Sequence, residues 1–418
     1  GRGGQRGMSR RICTAVCIAM VLSVLSGPSA WAFSPRPGPT FNNPYGTIDQ
    51  KYVIQRRVNQ AIDSTPRGGA IRIAVWAISL SSSANKLVRA HRRGVDVRVI
   101  VQRDRSKTPQ FRQLQRVLGT NARNRSFAIT CGGGCRVARG GSMHAKFFLF
   151  SRVGRSQRVV MVSSANLTHG GARRGWNDAF TAAGNYRLYG AHRIVFEEMA
   201  KNRGVAKPYR VTTSHRYRAF FFPRPGDGTR ETDTVYEALR RVRCWGVRGG
   251  AGYAGRTVIR VSMFHWAGQR GMYLARRLRA LDAAGCIVQV IYGAPSHAVA
   301  RELRKPGRYG GVAVWDSRYD LTGDGKPDKY VHHKYMLVSG SFAGDRSAWH
   351  VWTGSHNWTP SALRRNDETI LKVSGQRPHD HYRANFNHIR RNKTRLAHRG
   401  GFTATSIPTF STVLPERG

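Results

Sequence analysis

Ser142 to Asn166 contains S-M-H-A-K-F-F-L-F-S and then V-V-M-V-S-S-A-N, while Val331 to Asn357 contains V-H-H-K-Y-M-L-V-S and then V-W-T-G-S-H-N. The chain spells one pattern twice. His144 pairs with His332, Lys146 with Lys334, Ser164 with Ser355 and Asn166 with Asn357. In each copy H-x-K heads an apolar run, and residues two apart on a strand project from the same face. The next apolar run ends in S-x-N, whose Ser and Asn also share a face. Two adjacent strands can therefore present His, Lys, Ser and Asn to one spot, a set suited to handling an anion.

The repetition extends beyond the motif. Ile71, Ile73, His144 and Lys146 recur 188 residues later as Ile259, Val261, His332 and Lys334, the mark of a duplicated domain. Apolar spacing predicts a strand over 70–80, a helix over 83–93, a strand over 95–101, a helix near 110–118 and a strand around 127–131. After the first motif a helix is expected over 189–202. The series then restarts, with strands over 258–264, 287–292 and 312–315 and a helix over 271–284. This alternation predicts an α/β fold. Pro208, Pro223 and Pro225, with nearby glycines, place a connection over 206–228. The repeats are expected over 33–205 and 229–398, with a tail over 399–418.

At 418 residues the chain is long enough for two sizeable cores and is no small disulfide scaffold. Residues 8–32 have the form of an export signal: Arg10 and Arg11, an apolar run from Ile12 to Leu25, then Ala30-Trp31-Ala32 as a cleavage site, with residues 1–7 as an upstream extension. The run is too short for a good membrane span, so a soluble, secreted, extracellular protein is expected. Its mature part keeps Cys131, Cys135, Cys244 and Cys286, an even number in an oxidising compartment. Pairing Cys131 with Cys135 and Cys244 with Cys286 keeps each bridge within one repeat. The formal charge of +48 attracts polyanions, so nucleic acid and an anionic membrane surface are both candidate partners.

Splitting a phosphodiester requires a nucleophile, an acid for the leaving oxygen, and positive charge where the phosphorane's charge develops. Two H-x-K segments supply all three, so no cofactor or metal is required. One imidazole attacks phosphorus while the other protonates the leaving alcohol and later activates water; the lysines and asparagines hold the non-bridging oxygens. A carboxylate on the far ring nitrogen would fix the tautomer of the attacking imidazole. Asp178, twelve residues after Asn166, and Glu368, eleven after Asn357, are the candidates, with Asp367 a competitor for the second place.

On these residues the chain resembles the phospholipase D superfamily, whose repeated motif is H-x-K-x4-D followed by G-S-x-N. The resemblance spans nearly the whole mature chain. It implies two phospholipase D-like α/β repeats packed about a pseudo-twofold axis, one shared active site, and a ping-pong reaction through a phosphohistidine. The family's usual nucleophile maps to His144, leaving His332 as general acid and base. Two departures stand out: Ser151 and Ser339 replace the motif aspartates, and Ser163 replaces the first glycine of G-S-x-N. In the family that aspartate is structural rather than chemical, so activity is expected to survive its replacement.

Lesser signals complete the reading. The stretch with Asp320, Asp324 and Asp328 resembles a calcium loop in its first half, where oxygen-bearing side chains fall at alternate positions, without the closing glutamate; a tight acidic turn is expected, with calcium as the alternative. Arg173-Arg174 and Arg364-Arg365 recur after each S-x-N, and Trp358 is expected in the core. A phospholipase D acting on phosphatidylcholine-type lipids is the first expectation. A metal-independent secreted nuclease of the same superfamily and a non-catalytic polyanion-binding protein are the alternatives. With both copies in one chain, a monomer is expected.

Overall fold

The computed structural model describes Gly3 and residues 33–401, so the expected export signal over 8–32 and the expected tail beyond 401 lie outside the described residues. The two halves repeat one strand plan. In the first, Ala70–Ala74, Asp96–Gln102 and Phe127–Cys131 run parallel. Ala70–Ala74 also meets Phe147–Val153 antiparallel, and that strand turns back as Ser156–Ser163. In the second, Val258–Trp266, Ile287–Pro295 and Ala313–Asp316 run parallel. Lys334–Phe342 pairs antiparallel with Val258–Trp266 and returns as Asp345–Gly354. The expected duplicated α/β fold is therefore present, as sheets of seven and ten strands.

Local chemistry explains the elements. The helix Pro109–Leu118 starts where the Thr108 hydroxyl accepts from the Phe111 N–H at 3.2 Å, and proline occupies its first turn. It buries Phe111, Leu114 and Leu118 and stops at Gly119, whose φ of +80° suits a residue without Cβ. The parallel strands carry nearly continuous apolar runs, such as Val99-Ile100-Val101, because helices or the other repeat cover both faces.

One core is shared. Phe147, Leu149, Trp176 and Phe180 from the first repeat pack in one cluster with Tyr335, Leu337, Val351 and Phe386 from the second. The helices Tyr186–Lys201 and Gln376–Asn392 contribute from matching places. The interface between repeats is thus packed with apolar side chains like a domain interior, and the motif strands lie against it. No helix among the described residues is long and apolar enough to cross a membrane.

Two segments differ from expectation. Residues 210–222, read as part of a connection, form the hairpin Arg210–Ser214 and Tyr217–Phe222, which pairs with Glu368–Ser374. The flanking prolines hide the aromatic run Phe220-Phe221-Phe222, which is buried. In the first repeat the Pro-rich lead-in supplies Gly38–Phe41 to the equivalent edge, against Asp178–Ala182. Both disulfides have the expected pairing, Cys131 with Cys135 and Cys244 with Cys286.

Candidate active site

Each H-x-K segment is extended chain just ahead of a core strand, and each is pinned by the other repeat. The His332 N–H donates to Trp176 O at 2.8 Å, where Tyr330–Val331 runs parallel to Gly175–Trp176. The His144 N–H donates to Asp367 O at 3.1 Å. The residue after each of those carbonyls then reaches the histidine. Glu368 follows Asp367, and its two carboxylate oxygens lie 2.9 and 3.0 Å from His144 Nδ1. Asn177 follows Trp176, and its Oδ1 lies 2.8 Å from His332 Nδ1. Every orienting contact therefore crosses from one repeat to the other.

This corrects one expected role. Asp178 does not reach a histidine: its Oδ2 accepts from the Thr353 and Tyr382 hydroxyls, on the far side of the strand from Asn177. Burial drives its carboxyl up, against hydrogen bonds from Thr353 and Tyr382. Adjacent strand residues face opposite ways, so only one of Asn177 and Asp178 can face the site. Asp367 is likewise turned away, its Oδ2 accepting the Cys135 N–H, and burial pushes its carboxyl up to about 7.

The serines of S-x-N support the orienters. The Ser164 hydroxyl donates to Asn177 Oδ1 at 2.8 Å, and Ser355 hydrogen-bonds Glu368. The Asn177 Nδ2 donates to the Gly171 and Gly175 carbonyls at 2.9 and 3.1 Å, which leaves the amide oxygen facing His332. That oxygen can only accept, so neutral His332 carries its proton on Nδ1 and presents a lone pair at Nε2. Among the asparagines, Asn357 Oδ1 accepts the His265 N–H at 3.4 Å, while buried Asn166 Oδ1 has no partner among the described residues.

The lysines are deeply buried. Lys146 Nζ donates to His144 O at 2.5 Å, and Lys334 Nζ lies 2.7 Å from His332 O and 3.1 Å from His332 Nε2. Burial lowers Lys146 to about 7 and lowers Lys334 well below the lysine range. It also lowers both histidines, and Glu368 resists that fall at His144. At His332 no carboxylate resists: burial, Lys334 and Lys146 all push the imidazole toward its neutral form. Burial alone would raise Glu368, but His144 and Lys146 hold it below the usual glutamate value. An anion with oxygens between Lys146 and Lys334 would offset that burial penalty and favour the charged form of both lysines.

Aromatic rings wall both sides. Trp76 stands 5.8 Å from His144 and Phe264, 188 residues later, stands 4.7 Å from His332, centroid to centroid. The serines in place of the motif aspartates bind backbone instead of substrate: Ser151 Oγ accepts the Ala70 N–H at 2.8 Å and Ser339 Oγ the Gly252 N–H at 2.7 Å. Five residues of strand put them roughly 17 Å along from the lysines. The acidic loop closes on itself, with Asp320 accepting from the Gly323 and Gly325 N–H groups at 2.7 and 2.8 Å, and Asp328 from the Leu321 N–H at 2.8 Å. Among the described residues no group of three or more His, Cys, Asp or Glu is placed to hold a metal ion.

Two α/β repeats here bring paired His and Lys side chains together in one buried site. The profile of the family described as "Cardiolipin synthase, PLD-like domain" matches residues 58–198 and again 254–390. The chain belongs to this phospholipase D-like family, whose members are phosphodiesterases and phospholipid-modifying enzymes. A mitochondrial cardiolipin hydrolase of Xenopus tropicalis is 36% identical over 98 residues, which span 23% of this chain and 39% of that protein. The phosphatidylserine synthase of Haemophilus influenzae superposes with a TM-score of 0.53 at 13% identity, covering 86% of this chain and 87% of its own. The polyphosphate kinase of Porphyromonas gingivalis gives 0.53 at 16% identity over 84% of this chain and 50% of its own. At these identities the two superpositions establish the fold.

Proposed function

We propose that the chain is an exported phosphodiesterase that hydrolyses glycerophospholipids at the headgroup side, as a phospholipase D, through a phosphohistidine. The cross-repeat pair of oriented histidines, His144 on Glu368 and His332 on Asn177, carries this reading. His144 Nε2 attacks phosphorus, the bond to the headgroup oxygen breaks, and that oxygen takes the Nε2 proton of His332. In the second half His332 Nε2 accepts a proton from water as the water oxygen attacks phosphorus. The P–N bond then breaks and returns His144 with its lone pair. Lys146 and Lys334 provide charge for the phosphorane oxygens, worth most in a buried site. Export would suit the two disulfides.

Lipid as substrate is supported by the relatives, whose names concern cardiolipin and phosphatidylserine. Nucleic acid is the second reading, favoured by the charge of +48 and by the rings beside both histidines, on which bases could stack. Headgroup release from phosphatidylcholine and cardiolipin vesicles, run beside plasmid nicking with chelator present, separates them. The proposal expects release that persists in chelator and is lost in His144→Ala. Cleavage of the plasmid alone would move the substrate to nucleic acid, and cleavage of neither would overturn the enzyme reading.

A further inference from the structure

A cavity of about 290 Å³ opens at the carboxyl ends of the parallel strands Ile287–Pro295 and Ala313–Asp316, which Val258–Trp266 separates from the motif strand Lys334–Phe342. Crevices outside the carboxyl ends of parallel strands are where open α/β sheets bind ligands. Its lining includes Tyr292, 1% exposed. Its walls carry three guanidinium groups, Arg304, Arg318 and Arg395. Buried Asp316 acts as a strut. It receives Arg318 through Nε at 3.0 Å and Nη2 at 2.7 Å, and Arg395 through Nη2 at 3.3 Å. The Arg318 guanidinium plane is thereby fixed in advance, which removes part of the ordering cost of binding, while Arg395, 81% exposed, touches Asp316 through one nitrogen. Among the described residues Arg304 is held through its Nε, on Ala300 O at 3.1 Å, which leaves its outer nitrogens to donate.

Three guanidinium groups less one carboxylate leave a local charge of about +2, which matches a phosphate monoester of about −1.5 to −2. The equivalent strand of the first repeat, Phe127–Cys131, ends instead in the Cys131–Cys135 bridge. We infer that this cavity is a second oxyanion site, separate from the catalytic pair, that binds a phosphate monoester between Arg304, Arg318 and Arg395. Two sources share that chemistry, a soluble phosphomonoester and the headgroup of phosphatidate in a membrane.

Inorganic phosphate and glycerol 3-phosphate, titrated by calorimetry into the full chain carrying His144→Ala and His332→Ala, probe the site without turnover. Saturable binding is expected there, weakened at least tenfold by Arg304→Ser with Arg395→Ser. A control pair of equal charge loss, Arg89→Ser with Arg112→Ser at exposed positions of two helices, is expected to leave it unchanged. Vesicles with phosphatidate, compared with phosphatidylglycerol vesicles of equal charge, assign the source. Preference for phosphatidate that is lost in the pocket pair points to the lipid headgroup, and no preference points to the soluble ester. Absent binding, binding indifferent to the pocket pair, or equal loss in the control pair would overturn the inference. None of these results depends on catalysis, so failure here and failure of the phosphodiesterase reading are distinguishable.

Discussion

Glu368 and Asn177 stand at equivalent places, each eleven residues after the asparagine of its S-x-N, yet one is a carboxylate and the other an amide. That single difference divides the labour between the histidines. The carboxylate supports His144 as it gains positive charge on attack, whereas His332 must hold its working proton with no counter-charge. Protonated His332 is needed in the first half-reaction and becomes scarcer as pH rises, so kcat/KM of the wild type should increase toward acid. Asn177→Asp supplies the missing carboxylate and raises the His332 pKa. The alkaline limb should move to higher pH, which a pH–rate profile reads directly. Glu368→Gln should lower kcat by about 10²–10⁴-fold with little change in KM, through loss of tautomer control and of the charge on Nδ1. The four motif residues His144, Lys146, His332 and Lys334 were legible because their repetition is exact in spacing. Asn177 was not, since a search for carboxylates selects Asp178, although the equal spacing of eleven already marked its neighbour. The crossing of partners between repeats was invisible because it depends on which strands meet in space.

At the scale of elements, the loop carrying the second S-x-N is held by a buried pair. Arg270 donates through Nε at 2.7 Å and Nη2 at 3.1 Å to Asp233, and through Nη1 to Asn357 O at 2.9 Å and Thr359 O at 3.2 Å. Arg270→Met strands a buried carboxylate and frees two carbonyls, so stability should fall by about 3–5 kcal/mol in denaturant unfolding. Burial opposes ionisation of Asp233, but Arg270 and its hydrogen bonds outweigh that and leave the carboxyl below its ordinary value. The stability it contributes is then complete above the unfolded carboxylate pKa of about 3.9 and disappears as pH falls through the lower folded value. The wild type should therefore lose more stability in acid than Arg270→Met loses. Most helices and parallel strands were legible because capping residues and apolar runs agree locally, as at Thr108 to Gly119. The hairpin Tyr217–Phe222 was not, because prolines at its border read as a linker while its partner, Glu368–Ser374, lies about 150 residues away.

For the molecule as a whole, duplication builds a site that neither half could complete. Half a site from each repeat meets across a common core, so loosening that interface should cost activity before it costs secondary structure. The charge of +48 acts at long range and distinguishes the substrates. If nucleic acid binds through six to ten phosphate contacts, raising salt from about 50 to 200 mM should weaken it by roughly 10³–10⁵-fold. Hydrolysis of zwitterionic lipid should change far less over the same range. The duplication and the charge were plain in the sequence, whereas the cavity at Asp316 was not, because Arg304, Arg318 and Arg395 converge only once the strands are side by side. The central claim is that two repeats create one reaction centre in which His144 becomes covalently bonded to phosphorus. Stopping turnover in denaturant during the steady state and mapping the phosphorus-bearing peptide by mass spectrometry tests it most directly. The account predicts a phosphatidyl adduct on the His144 peptide that is absent in His144→Ala. An adduct on His332 instead, or turnover with no adduct on either histidine, would contradict it.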